Sequence, residues 1–277
     1  MNDITIDELI AYGKGKIHSD LVKILLGDLL HLNPLELLNH LTDKVSEEKA
    51  KLFEQEVEAI YEGKPIQYVL GHVNFYGNDF YINKNVLIPR FETEELVENT
   101  INYVKKYFSE PVDIIDLGCG SGVIGITLEK KLSTKTVDLI DISNDALSVA
   151  IQNCKKLNSK AALIKSDFFE NVTKKYDVII SNPPYIKQDE EIEEIVKNNE
   201  PPLALYAGAD GLDCYRKIIK DLKSHMKDRC LVAFEIGMSQ SEDIKSIIKK
   251  YFEHSKIEVK KDLSGKDRML FIFQNLE

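Results

Sequence analysis

Apolar residues recur every three or four positions through residues 1–63, and this pattern predicts helices and no strands there. Four residues that can cap a helix N-terminus each precede one stretch of this pattern: Thr5, Ser19, Asn33 and Ser46. The fourth stretch carries Phe53, Val57 and Ile60 on one helical face. We therefore expect residues 1–63 to fold as a small helical bundle without catalytic residues.

The helical pattern stops at Gly63 and Pro65. Residues 74–82 are typical of a β-hairpin, with its turn expected at Gly77-Asn78. We interpret residues 64–91 as a linker that joins the bundle to the rest of the chain through this hairpin.

Beyond a predicted helix at residues 93–107, predicted strands alternate with predicted helices. The predicted strands are 112–117, 136–141, 162–165, 177–181, 231–236, 256–259 and 269–273. The predicted helices between them include 144–157, 215–226 and 242–251. This alternation predicts an α/β fold for residues 92–277, with a doubly wound, mostly parallel sheet of seven strands.

Composition places the chain among ordinary globular proteins, with 43% hydrophobic and 30% charged residues. No apolar run approaches the roughly 20 residues that cross a bilayer. The N-terminal residues lack a basic stretch followed by an apolar one, so no signal peptide is predicted. We expect a cytoplasmic protein with no membrane partner.

The formal net charge of −10 bears on the choice of partner. Proteins that hold duplex nucleic acid usually present a strongly basic face, because contacts with phosphates supply most of the affinity. The lysine pairs of this chain are scattered and fall mostly near predicted helix ends, where they complement the helix dipole. We expect no stable binding of nucleic acid.

The cysteines and histidines form no metal-binding pattern, since the chain has no C-x-x-C, H-x-H or H-E-x-x-H motif. No metal site is predicted. Cys154 and Cys230 fall in apolar periodic stretches, and we interpret them as reduced thiols of the core.

A glycine-rich loop follows the first strand of the predicted sheet. It comprises Asp116, Gly118, Cys119, Gly120 and Gly122, with Gly125 three residues further on. Glycines at a strand-to-helix turn let the backbone bend sharply and approach a ligand closely. Asp141 ends the second strand, where a carboxylate can accept hydrogen bonds from ribose hydroxyls. The loop predicts a nucleoside cofactor, either a nicotinamide dinucleotide or S-adenosylmethionine.

The segment Asn182-Pro183-Pro184-Tyr185 follows the fourth strand. In a doubly wound sheet the first and fourth strands are neighbours, so this turn should flank the same crevice as the glycine loop. The Asn182 side-chain oxygen and the Pro183 carbonyl can both accept hydrogen bonds from one NH2 group, and Tyr185 offers a flat face for stacking. We assign substrate binding to Asn182, Pro183, Pro184 and Tyr185, and catalysis to Asn182, Pro183 and Tyr185.

Asp116 and the alternate glycines that follow it resemble the D-x-G-x-G-x-G signature of the class I methyltransferases, whose sheet is Rossmann-like. Asp167-Phe168 is similar to the adenine-pocket pair of that family, in which the acid faces the exocyclic amine and the ring packs on the base. The resemblance implies S-adenosylmethionine as cofactor and S-adenosylhomocysteine as product. It implies cofactor contacts by Asp116, Gly118, Cys119, Gly120, Gly122, Asp141, Asp167, Phe168 and Asn182.

The Asn-Pro-Pro-Tyr turn resembles two groups, the adenine-N6 methyltransferases of nucleic acid and the glutamine-N5 methyltransferases of release factors. Further segments resemble only the second group, and they are residues 86–94, 208–216, 235–240 and 262–268. The resemblance to the bacterial release factor glutamine methyltransferases (the PrmC/HemK family) thus spans nearly the whole chain. It implies methylation of the glutamine in the Gly-Gly-Gln loop of class I peptide chain release factors, with the helical bundle recognising the substrate.

Two features near these motifs leave alternatives open. Phe91 stands where that family usually has proline, which makes the loop less rigid, and Arg90 fits either a substrate contact or a buried ion pair. Residues 187–196 carry five acids with Ile192, Ile195 and Val196 at helical spacing. We interpret this stretch as an acidic helix face that would repel phosphate.

Two other functions remain as alternatives. Adenine-N6 methylation would need a basic groove and room for a flipped base, and neither is evident in the sequence. A noncatalytic module that binds translation components is the second, and the intact glycine loop and Asn-Pro-Pro-Tyr turn argue against it.

Overall fold

A computed structural model describes residues 4–276. Residues 1–3 of the predicted helical bundle and residue 277 of the predicted α/β region lie outside the described residues. The described residues divide into two compact units. Residues 4–72 and 193–199 form the first unit, and residues 73–192 and 200–276 form the second. Of the predicted linker, residues 64–72 therefore cluster with the helices and residues 73–91 with the sheet.

The elements are numbered in chain order. The strands are β1 Ile4–Thr5, β2 Lys44–Val45, β3 His72–Phe75, β4 Asn78–Tyr81, β5 Val112–Leu117, β6 Thr134–Asp141, β7 Ala162–Lys165, β8 Tyr176–Ser181, β9 Met226–Glu235, β10 Lys256–Lys261 and β11 Asp267–Gln274. The helices are α1 Ile6–Lys14, α2 Ser19–Leu30, α3 Pro34–Asn39, α4 Glu47–Tyr61, α5 Ile66–Leu70, α6 Phe91–Tyr107, α7 Val123–Lys131, α8 Asn144–Leu157, α9 Glu194–Asn199, α10 Asp213–His225 and α11 Ser241–Lys249.

The first unit is the expected bundle, packed around the buried side chains of Leu9, Leu25 and Phe53. Three of the predicted helix caps are confirmed, but α2 is capped by His18 rather than by Ser19. The prediction of helices alone is wrong in one respect, because β1 and β2 form a short antiparallel pair. Two residues in each strand are too few to show an alternating pattern.

The hairpin of β3 and β4 turns one residue earlier than the sequence predicts. Positive φ angles fall at Tyr76 and Gly77, and Asn78 is the first residue of β4. A two-residue hairpin turn with positive φ at both central positions matches the twist of the strands. The backbone N–H of Tyr76 donates to Glu94 of α6 at 2.9 Å, which holds the residue in this unusual conformation.

The second unit contains a seven-stranded sheet in the order β10-β11-β9-β8-β5-β6-β7. Strands β5 to β9 are parallel, and β11 runs antiparallel to both of its neighbours. The predicted doubly wound, mostly parallel sheet is therefore confirmed. Strand β9 begins at Met226, five residues before the predicted start at residue 231. Helix α10 accordingly ends at His225, one residue before the predicted end.

Helices cover both faces of the sheet, as expected for a doubly wound fold. Ile114 of β5 packs with residues of α6, α7 and α8, whereas the next residue, Ile115, packs with residues of α10 and α11. All six residues of β5 are buried, including Asp113 and Asp116, as expected for a central strand that is covered on both faces.

The strand order reverses at β5, which pairs with β6 on one side and β8 on the other. Asp116, near the end of β5, is the register partner of Ile180 in β8. The loop after β5 and the turn after β8 therefore leave the sheet side by side, as predicted.

The prediction of an acidic helix at residues 187–196, directly after that turn, is wrong for the first half of this stretch. The backbone N–H groups of Ile186 and Gln188 donate to the carbonyls of Leu205 and Gly208, and the chain makes a turn at residues 188–189 instead of a helix. Helix α9 begins only at Glu194.

Candidate active site

The glycine loop between β5 and α7 has positive φ at Gly118, Gly120 and Gly122. A Cβ atom on Gly120 would meet no heavy atom within 4 Å, and one on Gly118 would only reach the Phe168 ring at 4.0 Å. A Cβ atom on Gly122 would instead lie 3.0 Å from Ile126. Gly118 and Gly120 thus leave their backbone open to approach, whereas Gly122 permits close packing inside the protein.

Asp116 supports this loop from behind. Its side chain is fully buried, and one carboxyl oxygen accepts a 2.9 Å hydrogen bond from the N–H of Gly125 in α7. Burial raises the pKa of Asp116 to about 7, although the Gly125 bond lowers it and the charge of Asp141 raises it. Gly125 itself allows α7 to pack on β6, because a Cβ atom there would lie 2.2 Å from Leu139.

Asp141 stands at the end of β6 with both carboxyl oxygens held by backbone groups. One oxygen accepts from the N–H of Gly120 and the other from the N–H of Ser143, each at 2.9 Å. Burial raises the pKa of Asp141, and these hydrogen bonds oppose the rise. Each oxygen keeps a further lone pair, so the carboxylate can still accept two hydroxyl groups.

The pair Asp167-Phe168 follows β7. One oxygen of Asp167 forms an ion pair with Lys217 of α10. Phe168 has a φ of 51°, a left-handed conformation that is uncommon for a residue with a bulky side chain. Such conformations concentrate at ligand sites, where the surrounding structure imposes them.

Asn182 is connected to helix α6 and strand β9 through hydrogen bonds. Its side-chain N–H donates to the Thr93 hydroxyl at 3.3 Å, and the Thr93 hydroxyl donates to the Glu235 carboxylate at 2.7 Å. Glu235 is buried, and burial raises its pKa to about 7.

The rest of the Asn-Pro-Pro-Tyr turn is fixed by Gln240. The Gln240 side-chain amide donates to the backbone carbonyls of Tyr185 at 2.9 Å and Gly211 at 3.2 Å. Its oxygen accepts from the N–H of Gly237 at 3.0 Å. Pro183 is buried, and burial raises the pKa of Tyr185 to about 12. The Gln240 side chain therefore connects the turn to the two neighbouring loops that contain Gly211 and Gly237.

Arg90 forms an ion pair with Glu200, which is 3% exposed, and the N–H of Ile88 donates to the same carboxylate at 3.0 Å. The ion-pair interpretation of Arg90 is thus confirmed. Phe91 begins α6 and is 63% exposed, so it does not stiffen the preceding loop by packing.

A cavity of about 260 Å³ brings most of the predicted site together. Among the predicted site residues, those that line the cavity are Gly118, Cys119, Gly120, Asp141, Asp167, Phe168, Asn182 and Pro184. The other predicted site residues, Asp116, Gly122, Pro183 and Tyr185, do not line it. Asp116 is buried behind the loop, Gly122 packs against Ile126, and Pro183 is buried.

The apolar wall of the cavity is not among the predicted site residues. It includes Val86, Leu87, Pro89, Leu203 and Tyr206. Four of these side chains are apolar and the fifth, Tyr206, lies outside the motifs of the sequence, so only the fold reveals them. The Arg90–Glu200 ion pair joins the two loops that supply this wall.

Residues 4–276 contain no cluster of three or more His, Cys, Asp or Glu side chains that could hold a metal ion. All four cysteines are free thiols, and Cys154 and Cys230 are buried as predicted. Within the same described range, no helix is long and apolar enough to cross a membrane.

The sheet and the N-terminal helices match known protein families. Residues 96–203 match the family described as methyltransferase small domain, and residues 9–71 match the PrmC N-terminal domain. A solved methyltransferase from Pyrococcus furiosus superposes with a TM-score of 0.55 at 16% identity, covering 80% of this chain and 100% of that chain. The predicted class I methyltransferase fold is thereby confirmed.

Similarity in sequence extends over most of the chain. It is 38% identical over 255 residues to the release factor glutamine methyltransferase of Bacillus cereus, with 90% of each chain covered. It is 40% identical over 242 residues to the enzyme of the same name from Bacillus subtilis, with 85% of this chain and 84% of that one covered. Since identity of 38% and 40% extends over 90% and 85% of the chain, the chain belongs to the release factor glutamine methyltransferase family.

Proposed function

We propose that this chain transfers a methyl group from S-adenosylmethionine to the side-chain N5 nitrogen of a release factor glutamine, leaving S-adenosylhomocysteine. The observation that carries the proposal is that Asn182 lines the same cavity as Gly118, Gly120 and Asp141. A group that can orient an NH2 nucleophile thus stands beside a loop that can hold a nucleoside cofactor. The acceptor is inferred from family membership, because relatives are named for release factor glutamine.

The cavity suits the proposed cofactor. S-adenosylmethionine, when bound, supplies an electrophilic methyl group on a sulfonium sulfur. The open backbone at Gly118 and Gly120 permits close approach, and a side chain there would fill the space a ligand needs. Asp141 would accept hydrogen bonds from the ribose hydroxyls. Asp167 and Phe168 would hold the adenine, the acid facing the amine and the ring packing on the base.

On the substrate side, the Asn182 oxygen and the Pro183 carbonyl would accept the two hydrogens of the glutamine NH2 group. This arrangement localises the nitrogen lone pair and points it at the methyl carbon. Transfer would form the nitrogen–carbon bond and break the carbon–sulfur bond, whose electron pair would stay on the sulfur of S-adenosylhomocysteine. The nitrogen then gives up one proton to solvent. In this proposal the ring of Tyr185 would offer a flat face to the planar amide.

The acceptor we propose is the glutamine of the Gly-Gly-Gln loop of class I release factors. Nucleic acid would bring phosphates towards a chain of net charge −10, and the exposed residues after the catalytic turn include Asp189, Glu190 and Glu191. This charge disfavours adenine-N6 methylation. Because release factors act on ribosomes, the proposal implies a cytoplasmic enzyme.

Mass spectrometry after incubation with intact release factor and labelled methyl donor tests the proposal. We expect one added methyl group on the loop glutamine. The matched control is a release factor in which that glutamine is replaced by glutamate, which has the same size but no NH2 group. DNA and RNA are incubated in parallel. Labelled adenine with unmodified release factor would favour the nucleic-acid alternative, and no transfer to any acceptor would favour a noncatalytic module.

For the helical unit we propose a role in recognising the release factor. Leu35 and Leu38 of α3 are 69% and 57% exposed and share one helix face, and contiguous exposed apolar surface marks sites of protein–protein contact. Replacing both by serine should raise the KM for release factor and leave cofactor affinity unchanged. Tyr251→Ser is the control, because it removes an exposed apolar side chain from the other unit. An unchanged KM would exclude this surface.

A further inference from the structure

The hydroxyl of Thr93 lies between a hydrogen-bond acceptor and a hydrogen-bond donor. On one side the Glu235 carboxylate stands 2.7 Å away, and on the other the Asn182 amide nitrogen stands 3.3 Å away. Thr93 is 2% exposed and lines the cavity from the first turn of α6. Among the residues to which we assign catalysis, the Thr93 hydroxyl contacts Asn182.

A hydroxyl has one hydrogen to donate, so the state of Glu235 decides what Thr93 can offer to Asn182. An ionised carboxylate only accepts, and it therefore takes the Thr93 hydrogen. Thr93 is then left as an acceptor towards Asn182, which must present its NH2 group. Since the amide nitrogen and oxygen lie on opposite sides of the side chain, the oxygen of Asn182 is turned away from Thr93.

This orientation matters because the glutamine nucleophile is itself an NH2 group. Only the side-chain oxygen of Asn182 can accept a hydrogen of the glutamine NH2 group. If the Asn182 amide were flipped, its own NH2 group would face the glutamine NH2 group, and two donors cannot form a hydrogen bond. We propose that Thr93 and Glu235 are positioning residues that fix the Asn182 amide with its oxygen towards the substrate nitrogen. The inference rests on the proposed function.

The surroundings of Glu235 carry charges of both signs. Arg268, which pairs with Asp262, and Arg90 lower its pKa, whereas Glu92 at the start of α6 raises it. The Tyr185 hydroxyl also faces this group. Burial outweighs the Thr93 hydrogen bond and the two arginines, which lower the pKa of Glu235, and this pKa stands at about 7.

A protonated Glu235 would donate its hydrogen to Thr93. The Thr93 hydrogen would then turn towards Asn182 and favour the inverted amide. The orienting effect is therefore present above pH 7 and lost as the pH falls below it, so kcat should fall with pH on that side.

Substitutions of Thr93 test the relay. Thr93→Val keeps the shape but removes the hydroxyl, and we expect kcat to fall about tenfold with little change in cofactor affinity. Thr93→Ser keeps the hydroxyl and should retain kcat within about twofold. Thr100→Val is the matched control, since Thr100 is a buried threonine of the same helix whose hydroxyl donates to the carbonyl of Leu96 at 2.7 Å. It should leave kcat unchanged.

The pH profile of kcat separates positioning from a merely structural effect. The decline of kcat below pH 7 should disappear in Thr93→Val and in Glu235→Gln, each of which should show a low and flat profile. If Glu235→Gln does not fold, as judged by thermal melting, Thr93→Val alone decides. An unchanged decline in Thr93→Val, a normal kcat in that variant, or an equal loss in Thr93→Ser would overturn the relay. Absence of methyl transfer by the wild-type enzyme would instead reject the proposed function.

Discussion

The buried carboxylate of Asp116 accepts a 2.9 Å hydrogen bond from the N–H of Gly125 through one oxygen only. Its other oxygen has no hydrogen-bond partner within residues 4–276. A buried polar atom without a partner costs free energy, so Asp116 joins strand to helix at the expense of stability. Its pKa of about 7, against about 4 in an unfolded chain, expresses that cost as a preference for the protonated form.

Asp116→Asn should therefore change how stability depends on pH. In the wild type, folded Asp116 keeps its proton up to about pH 7, while the unfolded chain loses it near pH 4. Its contribution to stability is thus lost as the pH rises through this window, by up to about 1.4 kcal/mol per pH unit. Asparagine does not titrate, so this loss is absent from the variant. Measured by urea unfolding, the free energy of unfolding of the variant should therefore rise relative to that of the wild type from pH 4 to 7, and the difference between the two should stay constant above pH 7. A constant difference across this range would mean that Asp116 is ionised throughout.

Asp141→Ala should weaken the binding of S-adenosylmethionine. The change removes the proposed ribose acceptor and releases the N–H groups of Gly120 and Ser143, at a cost of about 1–3 kcal/mol in binding. Calorimetric titration measures the loss. Asp145→Ala is the control, because Asp145 is an exposed carboxylate in the first turn of α8 that does not line the cavity. Unchanged affinity in folded Asp141→Ala would remove Asp141 from the site.

Asn182→Ala should separate binding from chemistry. We expect cofactor affinity to stay near the wild-type value, since the proposed contacts come mostly from the glycine loop and from Asp141 and Asp167. Turnover should fall by about a hundredfold or more, because the nucleophilic nitrogen is no longer oriented. Calorimetry and single-turnover kinetics measure the two quantities, with Asn171→Ala as the control for loss of an exposed amide. Collapsed affinity with normal turnover of bound enzyme would contradict the assigned role.

Local patterns in the sequence predict the sheet and the two motifs at its edge. Strands such as β8 and β9 are buried along their apolar runs, residues 178–180 and 230–234, and these runs are visible without any knowledge of their neighbours. The reversal of strand order then places Asn182 beside the glycine loop.

Contacts between distant residues cannot be predicted in this way. Glu235 is 142 residues from Thr93, and Glu200 is 110 residues from Arg90, so no periodic pattern links either pair. Packing likewise decides which glycines face the cavity. Gly120 and Gly122 look alike in the sequence, yet a side chain on one would meet open space and a side chain on the other would meet Ile126.

This difference among the glycines leads to a prediction about Gly120→Ala. The φ of Gly120 is positive, so alanine adds roughly 1–2 kcal/mol of backbone strain. Its methyl group would also occupy the open space that the cofactor is proposed to use. We expect the affinity for S-adenosylmethionine to fall by at least about tenfold, beyond the loss of stability.

Two other glycines separate these effects. Gly265 also has a positive φ and open space around it, but it does not line the cavity, so Gly265→Ala should lower the melting temperature without affecting cofactor affinity. Gly125→Ala should cost about 1–3 kcal/mol of stability by overpacking, because its Cβ atom would lie 2.2 Å from Leu139. Thermal melting and calorimetric titration of the three variants distinguish strain, overpacking and ligand exclusion. If Gly120→Ala, like Gly265→Ala, lowered the melting temperature but left cofactor affinity unchanged, backbone strain alone would account for its effect, and the loop would not be the cofactor site.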